Sequence, residues 1–165
     1  MANFRLGFIG AGFIAKFQAT ALKSVRGVEL SGVHALKGAE ELAAFAQQCG
    51  VGECKVYPSV AELCNHCDAV AVFVPNYVRV DIVGQIVDAV KAGAEMRGVI
   101  CEKPLGRTVA EAKELVRLIK QTSLPTAYFE NQLHMKCITQ SLQQLKPVMD
   151  AMGGLALARS SEEHS

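Results

Sequence analysis

The chain has 165 residues, half of them apolar and one fifth charged, with a formal net charge of +1. That length suits one globular domain burying roughly 70% of its extended-chain surface, and the composition is not that of a disordered chain. Near-neutral charge without a basic stripe or acidic tail disfavours nucleic acid or a charged membrane surface as partner, and no apolar run approaches the ~18 residues of a membrane span.

In chain order, NFRLGFIG (residues 3–10) reads as a first strand. It is too short for a signal sequence and runs directly into a glycine motif, so a cytoplasmic location is expected. A helix over residues 12–25 places Phe13, Phe17, Thr20, Ala21 and Ser24 on one face. VELSGVH (28–34) is the second strand. A helix over 38–49 follows, with Leu42, Phe45, Ala46 and Cys49 at helical spacing. CKVY (54–57) is a third strand stopped by Pro58, and Ser59 with Glu62 makes a capping box for a short helix.

AVAVFV (69–74) is a continuous apolar run, as expected of a central parallel strand covered on both faces. Pro75 ends it. Residues 79–92 form a helix with Val80, Val83, Val87 and Val90 on the inner face, and GVIC (98–101) is the fifth strand. Thr108 and Glu111 form a second capping box, opening a helix that runs to about residue 122. TAYFEN (126–131) is a sixth strand, residues 134–150 a last amphipathic helix, and LALARS (155–160) another strand.

Strands alternating with helices imply right-handed crossovers and a parallel sheet. The expected fold is therefore α/β, a Rossmann-type doubly wound parallel sheet. Residues 1–150 would form a nucleotide-binding domain. Residues 151–165, with the boundary near Gly153-Gly154, would open a second α/β domain, because a single new strand cannot make a domain.

Two motifs carry chemistry. Gly10-Ala11-Gly12-Phe13-Ile14-Ala15 fits G-x-G-x-x-A between a strand and a helix, the dinucleotide fingerprint. Gly10 permits the turn, Gly12 lets a pyrophosphate approach the backbone, and Ala15 lets the helix pack on the sheet. The second motif is VICEKPLG, residues 99–106. Proline cannot extend a ladder, so Glu102 and Lys103 should stand at the strand's exit, on the edge where open α/β sheets bind ligands. A Lys103 ammonium there can stabilise an alkoxide as hydride leaves, with Glu102 orienting it or facing a ribose; the alternative is an ion pair at a surface turn. Pro75 and Asn76 would bring a polar amide near the dinucleotide's middle.

An Asp or Glu at the end of the second strand normally takes the ribose hydroxyls of NAD. Here His34, Ala35, Leu36 and Lys37 occupy the region. Lys37 either pairs with a 2′-phosphate or stands as a loop cation, so the cofactor is NAD or NADP, with a slight lean to NADP. The six cysteines read as free thiols, and Cys64 and Cys67 lack the second C-x-x-C pair of a zinc knuckle, so no metal is expected.

GFIGAGFIA, VFVPN, VICEKPLGRTVAEAKELV and YFENQLHM together resemble the N-terminal half of the glucose–fructose oxidoreductase/inositol 2-dehydrogenase (Gfo/Idh/MocA) family. The resemblance implies NAD(P) and reversible hydride transfer at a hydroxyl-bearing carbon of a sugar, cyclitol or related small molecule. It implies that Lys103 contacts nicotinamide ribose and substrate, as the catalytic residue. It implies that Gly10, Gly12 and Ala15 form the pyrophosphate turn, with Asn131 a weaker candidate for the nicotinamide side; together with the residues read above, the candidate cofactor set is Gly10, Gly12, Phe13, Ile14, Ala15, His34, Lys37, Pro75, Asn76, Glu102 and Lys103. A small-molecule substrate and a homo-oligomer when full length are expected. Three departures stand out: no acid near Ala35, Arg79 where the family has a histidine, and a longer connection, AVKAGAEMRGVIC, into the fifth strand. The family's acid/base histidine, in an Asp-x-x-x-His motif, belongs to the second domain, so the 165 residues alone would be nearly inactive. Two other readings are weighed: a non-catalytic dinucleotide-binding regulatory or interaction module, and a Rossmann domain for S-adenosylmethionine, against which Lys103 argues because methyl transfer needs no such lysine.

Overall fold

The computed structural model describes residues 3–154 and divides into two compact units, Met1–Phe129 and Glu130–Ser165. The expected strand at residues 155–160 lies outside the described residues.

The first unit is built on six strands: β1 (Phe4–Ile9), β2 (Val28–His34), β3 (Lys55–Val56), β4 (Ala69–Val72), β5 (Gly98–Glu102) and β6 (Thr126–Phe129). All pairs are parallel and the order is β3-β2-β1-β4-β5-β6. The connections carry helices α1 (Phe13–Ala21), α2 (Ala39–Gln48), α3 (Val60–His66), α4 (Arg79–Lys91) and α5 (Val109–Ile119). This is the doubly wound Rossmann arrangement that the sequence predicts.

Strand alternation sorts the core. In β4, Ala69 and Ala71 face the layer of α1 and α2, whereas Val70 and Val72 join Ile9, Leu63 and Ile86 on the other face. Small residues on one side let α1 approach closely. Its buried positions are Ala15 and Ala19. Phe13, Phe17, Thr20, Ala21 and Ser24 do share a face, and that face points to solvent. The helix buries methyl groups and exposes its rings, since the small Ala15 and Ala19 let it lie close on the alanine face of β4.

The helix starts follow side-chain chemistry. Ser59 Oγ accepts the Glu62 N–H at 3.1 Å, and Thr108 Oγ1 accepts the Glu111 N–H at 3.2 Å. The return arm of the second box differs from expectation. The Glu111 carboxylate accepts the Arg107 N–H at 2.8 Å and also takes the Arg107 guanidinium, so it caps one residue earlier than the pattern suggests. At the opposite rim of the sheet, Asp68 accepts the Arg5 backbone N–H at 2.7 Å and its guanidinium at 3.0 Å, clasping β1 to the start of β4. That pair holds the Asp68 carboxyl below the usual carboxylate range.

In the second unit, a 3-10 turn over Asn131–His134 leads into α6 (Lys136–Met152).

The packing of α1 gives a direct test. Ala15→Leu, which overfills a fully buried site, should cost about 1–3 kcal/mol in urea unfolding. Phe17→Ala, at a ring 59% exposed, should stay within about 0.5 kcal/mol. Equal losses would mean that the helix buries its other face.

Candidate functional site

The strand order reverses beside β1, which has β2 on one side and β4 on the other. No crossover helix covers the carboxyl ends of these strands, and ligands of open α/β sheets bind in that crevice. A cleft of about 900 Å³ opens there.

The β1–α1 turn forms its floor. The Gly10 N–H donates to the His34 carbonyl at 2.8 Å, tying the turn to β2. Gly10 has φ +105°, and a Cβ there would stand 2.9 Å from the carbonyl carbon and oxygen of Phe73. Both conformation and packing demand glycine. Gly12 differs. It is the N-cap of α1 with φ −76°, which any residue adopts, and a Cβ would meet no protein atom within 4 Å. Nothing inside the protein requires glycine at Gly12, and the space a side chain would fill belongs to the cleft. No side chain caps this helix end, so its first N–H groups and dipole face the cleft. That is the cradle a diphosphate needs.

One end of the cleft is built from β2. His34 donates its Nδ1–H to the Tyr57 carbonyl at 2.9 Å, which fixes the ring and leaves Nε2 as its second polar atom. Ala35, Leu36 and Lys37 follow, with Lys37 exposed, and Pro58 and Ser59 complete this end. The cleft's carboxylates, Asp81 and Glu102, come from α4 and β5.

The other end is built from the exits of β4 and β5. Pro75 and Asn76 open a 3-10 turn over Asn76–Val78, which passes directly into α4. Glu102 is the last residue of β5. Lys103 follows, exposed and on the cleft wall, and is joined to Pro104 by a cis peptide bond. Beneath these loops lies Arg79, 2% exposed. Its Nη1 donates to the carbonyls of Glu102 at 2.6 Å and Leu105 at 3.3 Å, and also to Pro104. Its Nη2 donates to the Val74 carbonyl at 3.1 Å. Burial pulls the Arg79 pKa below its ordinary value, yet a guanidinium stays protonated in proteins. Burial pushes the neighbouring Cys101 thiol up to about 11, so no thiolate balances that charge at neutral pH. Carbonyl dipoles solvate it, and the Glu102 carboxylate favours the charge through space.

The structure thus brings Gly10, Gly12, Phe13, Ile14, His34, Lys37, Pro75, Asn76, Glu102 and Lys103 around one cleft. Ala15 sits in the core beneath it. Asn131 lies in the second unit. Cys54, Cys64 and Cys67 are buried; burial raises Cys54 and Cys64 to about 12. Among the described residues no group of three His, Cys, Asp or Glu could hold a metal ion. Sequence reasoning noticed Arg79 only as a departure from a pattern and missed what it does. A signal was present: a cation in the first turn of α4 opposes the helix dipole, so something other than the helix must hold it there.

The family model described as "Oxidoreductase family, NAD-binding Rossmann fold" (GFO_IDH_MocA) matches residues 4–129. Uncharacterized protein YMR315W of Saccharomyces cerevisiae is 35% identical over 106 residues, which are 63% of this chain and 29% of that protein. Glucose-6-phosphate 3-dehydrogenase of Bacillus subtilis is 31% identical over 108 residues, 66% of this chain and 28% of that protein. The chain therefore spans under a third of either relative. Among solved structures, UDP-N-acetylglucosamine 3-dehydrogenase of Acidithiobacillus ferrooxidans superposes with a TM-score of 0.68 at 27% identity, over 87% of this chain and 44% of that one.

The two turn glycines should respond differently to a methyl group. Gly10→Ala strains a positive φ and should cost about 1–3 kcal/mol or more in chemical unfolding. Gly12→Ala should cost no more than about 1 kcal/mol, the difference between glycine and alanine at an N-cap. Comparable losses at both sites would mean that Gly12 serves packing after all.

Proposed function

The chain belongs to the Gfo/Idh/MocA oxidoreductase family, with its NAD-binding Rossmann fold, and on that premise we propose that its cleft binds NAD or NADP, with a lean to NADP, for hydride transfer at a hydroxyl-bearing carbon of a sugar, cyclitol or related small molecule. The observation that carries this reading is Gly12: a glycine kept where neither backbone conformation nor packing needs one, at an uncapped helix N-terminus lining the cleft. A side chain there would stand where a diphosphate lies.

The residues present fit the dinucleotide along its length. The N–H groups opening α1 hold the diphosphate. His34 and Lys37 stand at the adenosine end. Lys37 offers a cation to a 2′-phosphate, and the absence of a carboxylate among residues 34–37 removes the repulsion that would reject one. Pro75 and Asn76 flank the middle. Bound here, the nicotinamide supplies the hydride acceptor or donor. Lys103 donates a hydrogen bond to the substrate oxygen and stabilises the negative charge that develops on it, while Glu102 shares the same rim. In a longer protein, a second domain would supply the remaining wall and the acid/base group. The dehydrogenase names of two relatives support this reaction class.

A thermal-shift series on the 165-residue chain with NADPH, NADH and S-adenosylmethionine tests the cofactor. A dinucleotide at a hundredfold excess over Kd should stabilise the fold by about 2.7 kcal/mol, with NADPH ahead of NADH and S-adenosylmethionine without effect. No shift with either dinucleotide would sink the reading. Gly12→Ala should weaken both dinucleotides while leaving the fold intact. Lys37→Ala should narrow the NADPH-to-NADH preference about fivefold, the equivalent of roughly 1 kcal/mol; an unchanged ratio would leave Lys37 a solvated loop cation. Dinucleotide binding without turnover in the longer protein would favour the regulatory-module alternative.

A further inference from the structure

We propose that Arg79 is a positioning residue for this site: its guanidinium, bound to main-chain carbonyls on both sides of Lys103 and to the carbonyl before Pro75-Asn76, holds the Lys103 ammonium in place over the nicotinamide end of the cleft. This rests on the dinucleotide reading and assigns one more residue to it.

Lys103 cannot hold its own position. Its side chain is exposed and makes no ion pair among the described residues. Where its Cα sits depends on the loop that leaves β5. That loop runs through Glu102, Lys103, Pro104 and Leu105, and three of its four carbonyls accept from one Arg79 nitrogen. The other terminal nitrogen reaches back to Val74, at the exit of β4. One side chain thus ties together the two strand exits that carry Asn76 and Lys103.

The chemistry suits arginine alone. A buried cation with no hydrogen-bonded carboxylate must be solvated by dipoles or be expelled. Here the available dipoles are the loop carbonyls, so loop and charge hold each other. A planar guanidinium offers five N–H donors in a fixed fork and does not deprotonate. Lysine has one nitrogen, and a histidine ring has at most two N–H groups pointing apart, so neither reaches both strand exits. Helix stability does not explain the choice, because a cation in the first turn of α4 opposes the helix dipole. Among the described residues, two buried side-chain atoms have no hydrogen-bond partner: Arg79 Nε and Glu102 Oε2. The second is on the side chain of Glu102, whose main-chain carbonyl Arg79 holds.

The test uses the 165-residue chain, NADPH as the probe that reaches the nicotinamide end and ADP as the probe that stops at the diphosphate. Arg79→Lys should weaken NADPH about tenfold, the scale of one lost charge-assisted hydrogen bond, while ADP binds as before. Lys103→Ala should do the same. In the double variant the two losses should be less than multiplicative, since Arg79 acts in large part through the loop that carries Lys103. The assignment is overturned if the two losses multiply, if ADP weakens with NADPH, or if Arg79→Lys leaves NADPH binding unchanged. Should Arg79→Lys not fold, Arg79→His, which restores the residue type of the family pattern, takes its place in the cycle; failure of both to fold would make Arg79 a stability residue only. Failure of the unaltered chain to bind NADPH or NADH would instead sink the dinucleotide reading itself.

Discussion

A parallel sheet can be covered on both faces, but not at the edge where its strand order turns back. Each right-handed crossover lays its helix on one face, and at β1 successive crossovers go to opposite faces. The backbone groups at the carboxyl ends of β1, β2, β4 and β5 are left in a crevice that no helix fills. The cleft, the uncapped start of α1 and the loops that carry Asn76 and Lys103 all follow from that vacancy.

The crevice works only if its walls approach closely. On the floor this is achieved by removing side chains: Gly10 lies against the Phe73 carbonyl, and Ala15 and Ala19 lie under α1. On the rim it is achieved by adding one. The Arg79 guanidinium occupies the space beneath two loops and binds four carbonyls. The first device relies on the missing Cβ, the second on the cost of leaving a buried charge without dipoles. The rim is therefore ordered by electrostatics, and the floor by sterics.

Much of this was legible in the residues. The apolar runs and the turn residues after them marked β1, β2 and β4, and Ser59 and Thr108 marked the starts of α3 and α5 through hydrogen bonds spanning three residues. The glycine fingerprint and the charged exit of β5 pointed to the rim of the sheet. The direction that α1 faces was not legible, because Phe13 and Phe17 share a face as good as that of Ala15 and Ala19, and hydrophobicity alone favours the rings. Only the depth available above the alanines of β4 decides between them. Arg79 was not legible for a related reason: its partners are backbone carbonyls, which carry no signature in the side chains.

The sequence by itself determined the order and type of the elements, the fingerprint turn and the placing of Glu102 and Lys103 at a strand's end, because each depends on contacts within a few residues along the chain. The tertiary structure decided which glycine serves the protein and which serves the cleft, which face of α1 is buried, and that an arginine 23 residues before Glu102 in the chain grips the loop holding Lys103. Those depend on distances between strand exits far apart in sequence, which packing alone sets.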